Sequence, residues 1–119
     1  MKIYIAHSRN FDFQNELYKP IKRSFLVKEN SFIFPHEGAE DFDSKAFLKD
    51  ECDLIIAEAS HPSTGMGIEL GWADMFKIPI ICVYKTGTEI SNSLKVVTDK
   101  FLEYSDTDDL IIKINEVLK

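Results

Sequence analysis

The alternation of short apolar runs with longer stretches of helical periodicity constrains the fold of this sequence more than any other feature. Five runs are rich in β-branched and aromatic residues and show no regular exchange of apolar with polar side chains. Such runs predict strands that are covered on both faces of a sheet, because neither face is left polar for water. The predicted strands are residues 3–6, 31–35, 53–57, 79–84 and 100–104, the last of them weak.

A helical stretch follows each predicted strand. In the first stretch, apolar side chains recur every four residues at Phe13, Leu17, Ile21 and Phe25, which forms one apolar stripe. Pro20 lies within that stretch, and a proline inside a helix costs about 3 kcal/mol, so we expect a kink or two short helices there. The predicted helices are residues 12–28, 44–51, 64–77, 91–97 and 107–118.

Strands that alternate with helices in this way predict an α/β fold with a parallel sheet, because crossovers between parallel strands are right-handed and usually helical. We expect a flavodoxin-like, doubly wound sheet of five strands in the order 2-1-3-4-5, with helices on both faces. The 119 residues correspond to one domain, residues 1–119. Ligands of such sheets bind beyond the carboxyl ends of the strands, where the loops 7–10, 36–43 and 58–69 carry most of the polar residues.

The charge of the chain excludes some classes of partner. The formal net charge is −6, and 45% of the residues are hydrophobic. Nucleic-acid polymers and anionic membranes both require a basic patch, so we expect neither as a partner. A small phosphorylated ligand needs only a local cluster of hydrogen-bond donors, and the acidic balance does not argue against it.

Cysteine usage and hydropathy point to the cytoplasm. Cys52 and Cys82 adjoin or lie within apolar runs, and we interpret both as reduced packing cysteines. No His or Cys spacing is typical of a metal site, so we expect neither a metal nor a cofactor. No apolar run approaches 18 residues, and the apolar stretch at the start is too short for a signal peptide. We therefore expect a cytoplasmic protein.

The residues best suited to chemistry follow the third predicted strand. The loop there enters a helix through Gly65 and Gly67, which let the backbone approach a ligand, and the helix start offers free N–H groups to an anion. The spacing fits neither the dinucleotide-binding fingerprint nor the Walker A loop. Glu69 lies just beyond the glycines. It is either a glutamate that complements the helix dipole or a carboxylate directed into the cleft.

The run from Ala57 to Ala73, A-E-x-S-x-P-S-x-G-x-G-x-E-L-G-x-A, resembles the signature of the nucleoside 2-deoxyribosyltransferase family. It is most similar to the branch of the 2'-deoxynucleoside 5'-phosphate N-hydrolases, and the resemblance is specific at this run and at Tyr4 with Ser8. It implies the flavodoxin-like sheet, a homodimer or larger homo-oligomer, and no metal. It also implies cleavage of the N-glycosidic bond of deoxynucleosides or their monophosphates, by hydrolysis or by transfer to another base.

The resemblance assigns roles to residues by position. It implies that Glu69 is the nucleophile and that Tyr4 helps to hold it. Ser8 and Ser63 match serines that bind the 5'-phosphate, and a serine donated by a neighbouring subunit falls near Ser93. In the branch that uses free nucleosides, the position of Ser63 is an aspartate. A serine there favours a phosphorylated substrate, because an aspartate would repel the phosphate.

The sequence departs from the family pattern on the phosphate side. The arginine of the branch lies two residues after the serine, where this chain has Asn10, and Arg9 comes one residue early. His36 matches a histidine of the phosphate-using branch, or is a solvated loop residue. We expect Arg9 and His36, with Gly65 and Gly67, to contribute to substrate binding.

A second departure concerns the carboxylate that binds the sugar or base. Its place is occupied by Lys45, and Asp43 is the nearest carboxylate, with Asp50 as a rival. Glycosidic cleavage passes through an oxocarbenium-like state, so it needs one ionised carboxylate near C1' and a second acidic group for the departing base. We expect Asp43 to be that second group.

A different class of function stays open on the sequence alone. The opening strand, Ile3 to Ser8, is also similar to the first strand of Toll/interleukin-receptor-type domains. That similarity covers six residues and implies a non-catalytic nucleotide-binding or signalling module. On the helix that contains Glu69, Trp72 and Phe76 lie four residues apart, and we interpret them as core or dimer contacts.

Overall fold

The centre of the protein is a five-stranded parallel sheet. The computed structural model describes residues 1–38 and 42–119. Neighbouring strands all pair in parallel, and their order is β2-β1-β3-β4-β5, which confirms the predicted topology. The strands are β1 (Lys2–His7), β2 (Ser31–Ile33), β3 (Leu54–Glu58), β4 (Ile80–Lys85) and β5 (Phe101–Tyr104).

Helices connect the strands and match the predicted stretches. The α-helices are α1 (Lys19–Arg23), α2 (Ser44–Asp50), α3 (Thr64–Met75) and α4 (Thr107–Leu118). The predicted kink or pair of short helices near Pro20 takes the form of a change in helix type, and the backbone stays helical from Gln14 to Arg23. A π-helical turn, Gln14–Tyr18, precedes α1, and a 3-10 helix, Phe25–Lys28, follows it. Pro20 lies in the first turn of α1, where a helix tolerates proline because the missing N–H has no partner there.

The sheet is buried on both faces, which explains why its strands lack polar alternation. In β1, Tyr4 and Ala6 pack into a core with α2 and α3, whereas Ile3 and Ile5 pack into a second core with α1 and α4. Cys82 is buried in the first core. Helices thus lie on both faces, as the sequence predicts.

Two details differ from the sequence prediction, and one predicted segment is described only in part. β2 ends at Ile33 rather than at Pro35, since proline has no N–H to extend a ladder. The predicted helix over residues 91–97 is a 3-10 helix, Asn92–Val96. Of the acidic segment predicted after β2, Glu40 and Asp41 lie outside the described residues. Within the described ranges, no helix is both long and apolar enough to cross a membrane.

Candidate active site

A cavity of about 560 Å³ opens beyond the carboxyl ends of β1 and β3. The strand order reverses between these two strands, because the connection after β1 leads toward one edge of the sheet and the connection after β3 toward the other. Ligands of doubly wound sheets bind at the crevice that this reversal creates. Four parts of the chain line it: the loop after β1 (residues 7–10), His36, the start of α2 (residues 42–45) and the first half of α3 with its preceding serine. Of the residues expected to be functional, the cavity brings together Ser8, Arg9, His36, Asp43, Ser63, Gly65 and Glu69.

Glu69 lies on the second turn of α3, directed at β1. The Tyr4 hydroxyl donates a short hydrogen bond to Glu69 Oε2. The same hydroxyl lies 2.6 Å from Ser44 Oγ. Because the single phenolic proton goes to the carboxylate, Ser44 is the donor in that second bond. Ser44, at the start of α2, has no signal in the sequence, since its role depends on packing between α2 and β1.

Two opposing effects act on the Glu69 carboxylate. Burial is the larger effect and raises its pKa, while the hydrogen bonds from Tyr4 and Ser44 lower it. Burial and the neighbouring Glu69 charge also raise the pKa of Tyr4 well above its usual value, so the phenol stays a proton donor. The site therefore holds a partly desolvated carboxylate in one orientation, which is what a carboxylate nucleophile requires.

Hydroxyl donors gather at the end of the cavity near the start of α3. Ser63 caps α3 by accepting a hydrogen bond from Met66 N at 3.2 Å. Ser8 Oγ accepts one from Asn10 N at 3.0 Å. Each hydroxyl accepts with its oxygen, so each proton is free to be donated to a ligand. Arg9 is exposed at the same end, and the α3 N-terminus adds the positive end of a helix dipole.

The two glycines at the start of α3 leave open space. A Cβ built on Gly65 or Gly67 would meet no atom within 4 Å. Neither glycine has a positive φ, so the backbone there does not demand glycine either. Gly65 lines the cavity, while Gly67 does not. Close approach by a ligand is therefore a sufficient reason for glycine at position 65. The structure of this chain gives no reason for glycine at position 67.

A hydrogen-bonded chain of aromatic residues supports the loop after β1. His36 N donates to the Tyr18 hydroxyl at 3.1 Å, and that hydroxyl lies 2.6 Å from His7 Nε2. His7 Nδ1 lies 2.7 Å from the Ser8 carbonyl oxygen. Burial, which is the largest effect, together with the nearby His36 and Arg9, lowers the pKa of His7 to about 4. A neutral His7 that donates from Nδ1 and accepts at Nε2 satisfies both bonds.

The opposite end of the cavity is aromatic and carries one cation. Trp72 and Ile68 of α3 line it, together with Phe42. The Lys45 ammonium lies 5.6 Å from the centroid of a Trp72 ring, within reach of a cation–π contact. The sequence predicts that Trp72 is a core or dimer contact. It packs against the core but also borders the cavity, because its helix presents it one turn beyond Glu69.

The remaining predicted residues divide by location. Asp43 lines the cavity and caps α2, with Oδ1 accepting from Ala46 N at 3.1 Å. Asp50, its rival, borders a separate surface depression at the other end of α2. Ser93 is exposed on the 3-10 helix after β4 and does not line the cavity of its own chain. In the described part of the chain, no three His, Cys, Asp or Glu residues are grouped as metal ligands would be.

A buried carboxylate anchors the loop that leads into α3. Glu58, at the end of β3, accepts hydrogen bonds from Ser60 N at 2.6 Å and from the Ser60 hydroxyl at 3.0 Å. The Tyr104 hydroxyl of β5 donates a further short bond to it. Ser60 Oγ in turn accepts from Lys85 N at 2.8 Å. These bonds tie the loop to the ends of β4 and β5, which positions Ser63 and the start of α3.

Comparison with known proteins gives relatives by sequence and a neighbour by structure. No family model matches the chain. It is 44% identical over 46 residues to a protein of Syntrophotalea carbinolica named 2'-deoxynucleoside 5'-phosphate N-hydrolase 1, which covers 39% of this chain and 32% of the relative. It is 34% identical over 65 residues to the 5-hydroxymethyl-dUMP N-hydrolase of Branchiostoma floridae, which covers 50% of this chain and 61% of that protein. The matches thus span less than two thirds of either relative.

The fold has a solved counterpart. The CMP N-glycosidase BcmB of Clostridium botulinum superposes with a TM-score of 0.69 over 97% of this chain and 99% of that one, at 19% sequence identity. That identity is low enough for the likeness to concern the fold alone, and it agrees with the parallel sheet described above. The resemblance to the N-hydrolases of deoxynucleoside 5'-monophosphates is confirmed by these sequence matches.

Proposed function

We propose that this protein is an enzyme that cleaves the N-glycosidic bond of 2'-deoxynucleoside 5'-monophosphates, with Glu69 as the nucleophile. The observation that carries the proposal is the Glu69 carboxylate, held by Tyr4 between a cluster of hydroxyl donors and an aromatic wall of one cavity. The names of the relatives, N-hydrolase in each case, support hydrolysis over transfer to a second base.

The proposed reaction is a double displacement at C1'. A Glu69 carboxylate oxygen forms a bond to C1' while the bond from C1' to the base nitrogen breaks, and its electron pair stays on the base. Water then attacks C1', the bond to Glu69 breaks, and its electron pair returns to the carboxylate. The proton that the water loses ends on the base. The products are the free base and deoxyribose 5-phosphate, and transfer would differ only in the acceptor.

The phosphate would bind where the donors gather. Ser8 and Ser63 have hydroxyl protons to donate, and Arg9 and the α3 N-terminus supply positive charge. His36 lies at the same end. Burial, and then Arg9, lower its pKa, so it offers a hydrogen bond rather than a fixed charge. A free nucleoside would leave these groups without a partner.

Asp43 is the proposed second acidic group. Besides Glu69, it is the other carboxylate among the described residues that line the cavity. Its Oδ1 caps α2, which fixes the side chain and leaves Oδ2 free to transfer a proton. In this role Asp43 accepts the proton that the attacking water loses in the second step and passes it to the released base.

We further propose a homodimer in which Ser93 reaches the partner's cavity. Ser93 is exposed and lies outside the cavity of its own chain. Ile68 and Met75 of α3 are 49% and 78% exposed, which is unusual for large apolar side chains on one helix next to a ligand site. A second chain that packs against α3 would cover them.

The decisive experiment is an assay of base release. Purified protein is incubated with each of the four deoxynucleoside monophosphates, and the free base is separated by chromatography. We expect release that falls on the order of 10³-fold or more in Glu69→Gln, because the variant cannot form the covalent intermediate. Glu116→Gln, an exposed change on α4, is the matched control.

Two results would contradict the proposal. One is the absence of release from every monophosphate, and from deoxynucleosides supplied with an acceptor base. The other is a folded Glu69→Gln variant with full activity. Binding of a dinucleotide without turnover, together with no binding of deoxynucleoside monophosphates, would instead favour the non-catalytic module.

A further inference from the structure

The ligand groups proposed above lie in a fixed order along α3. Ser63 caps the helix, Glu69 is six residues further on, and Trp72 is three beyond that. At a rise of 1.5 Å per residue, Glu69 lies about 9 Å and Trp72 about 13 Å along the helix from Ser63. With the phosphate at Ser63 and C1' at Glu69, the base reaches the end of the cavity that Trp72 borders.

Lys45 supplies the positive charge at that end. It is on the first turn of α2 and lines the same cavity as Glu69. The indole of Trp72 holds its ammonium at 5.6 Å from a ring centroid. Phe42 and Ile68 add apolar surface at this end, and Asp43, which caps α2 through Oδ1, keeps Oδ2 for the proton transfer proposed above. The base therefore meets an aromatic wall and an ammonium donor.

The position at which negative charge develops on the departing base decides which bases benefit from such a donor. As the bond from C1' to the base breaks, its electron pair moves onto the base. In a pyrimidine the charge spreads to the carbonyl oxygen on the carbon next to the glycosidic nitrogen. A purine has no carbonyl on either atom bonded to its glycosidic nitrogen. An ammonium at this place lowers the barrier for pyrimidines more than for purines, because it stabilises charge that develops in the transition state.

We infer that Lys45 is a specificity-determining residue, and that it directs the site to pyrimidine deoxynucleoside monophosphates by donating a hydrogen bond to the carbonyl oxygen beside the glycosidic nitrogen. The inference rests on the proposed N-glycosidase activity and deepens it. The base leaves with the electron pair of the broken bond, Lys45 keeps its protons, and the proton that neutralises the base comes from the attacking water.

The test compares four substrates in wild-type protein and in Lys45→Met, which keeps the length of the side chain and removes its charge. We expect wild type to have a higher kcat/KM for dCMP and dUMP than for dAMP and dGMP. In Lys45→Met, kcat/KM for the pyrimidines should fall about 10- to 100-fold, the effect of one lost hydrogen bond to a charged group, with little change for the purines. Lys45→Arg should retain part of the preference.

A second readout separates charge stabilisation from general damage to the site. The base of 5-fluoro-dUMP leaves more readily than uracil, since fluorine withdraws charge. The ratio of the rate for 5-fluoro-dUMP to the rate for dUMP should therefore rise in Lys45→Met, because the ammonium no longer stabilises the charge on the carbonyl oxygen. Lys49→Met, on the same helix but outside the cavity lining, is the matched control and should leave all ratios unchanged.

The outcomes distinguish this inference from the activity on which it rests. A wild-type protein that releases purines as fast as pyrimidines overturns the assignment of Lys45 and leaves the N-glycosidase intact. A Lys45→Met variant that loses both classes equally, or keeps an unchanged fluorine ratio, does the same. No release from any monophosphate by wild type contradicts the proposed function and, with it, this inference.

Discussion

At the scale of single residues, the chemistry depends on how Tyr4 and Ser44 hold Glu69. Burial alone would leave a protonated carboxyl over a wider pH range, which is poor for a nucleophile. The Tyr4 hydroxyl, to which Ser44 donates, offsets part of that effect because it binds the ionised form. The same contacts fix the carboxylate in one orientation toward the cavity.

Removing the Tyr4 hydroxyl is expected to move the pH profile. Tyr4→Phe deletes a hydrogen bond that lowers the pKa of Glu69, so that pKa rises. Because the nucleophile works ionised, the acid limb of kcat/KM should shift to higher pH, with a loss of about tenfold or more below neutral pH. Tyr84→Phe, on β4 away from the cavity lining, is the control. An unshifted acid limb in Tyr4→Phe would count against Glu69 as the ionising group.

His7 gives a second, independent pH effect, on stability. Burial is the main reason that its pKa is about 4 in the folded protein, against 6.5 for a free histidine. Between these values the unfolded chain binds a proton that the folded chain does not, so stability is present above pH 6.5 and is lost as the pH falls toward 4. The loss amounts to at most about 3 kcal/mol.

The measurement is urea unfolding of wild type and His7→Gln between pH 7 and pH 4.5. The variant should lose less stability across that interval, since glutamine does not titrate. His61→Gln makes the same change at a histidine that is only partly buried. If the free energy of unfolding falls with pH equally in wild type and in His7→Gln, the buried His7 ring is not the source of the pH dependence of stability.

At the scale of elements, the start of α3 combines a structural role with a proposed binding role in one serine. Ser63 accepts a bond from Met66 N, which caps the helix, while its own proton is free for a phosphate. The buried Glu58 network fixes the loop before it, so the serine has one position relative to the sheet. Two substitutions can separate the roles.

Ser63→Ala removes both the cap and the donor. We expect a loss of about 1 kcal/mol in the free energy of unfolding, together with weaker binding of monophosphates. Ser63→Asp keeps a side chain that caps helices well but repels a phosphate, so it should restore stability and not binding. The measurements are urea unfolding and KM for a monophosphate against its free nucleoside. Unchanged KM in Ser63→Asp would remove Ser63 from the phosphate site.

At the scale of the whole molecule, one predicted site residue is separated from the rest. Ser93 is exposed on the 3-10 helix between β4 and β5, outside the cavity lining of its own chain. The proposed dimer predicts that a complete site draws Glu69 from one chain and Ser93 from the other. Apolar α3 residues that are exposed in one chain would become buried at the same interface.

Mixing two inactive variants tests this arrangement. After joint refolding of equal amounts of Glu69→Gln and Ser93→Ala, half of the dimers are mixed, and each mixed dimer has one site with both native residues. Activity should return to roughly a quarter of the wild-type value. If Ser93 acts within its own chain, mixing restores nothing, and light scattering that shows a monomer would exclude the dimer.

The sequence predicted the sheet and much of the candidate site for one physical reason, which is that both depend on short-range sequence patterns. Apolar runs without alternation identified buried strands, and the carboxyl ends of parallel strands meet at one edge wherever the helices between them lie. Ser8 follows β1 directly, and Ser63 and Glu69 lie in the loop and the helix that follow β3, so topology places them at the same edge of the sheet. The rivals Asp43 and Asp50 lie at opposite ends of α2, and the sequence motif by itself assigned the second carboxylate to neither.

Sequence by itself thus determined the α/β class, the strand order and the group of polar loops around Glu69. Tertiary structure alone decided which side chains meet across elements: Ser44 with Tyr4, and Lys45 with Trp72. These pairs join residues of different elements, 40 and 27 positions apart. Their contacts depend on the position and rotation of each helix on the sheet. Packing of the whole core determines that position, and no local sequence pattern predicts it.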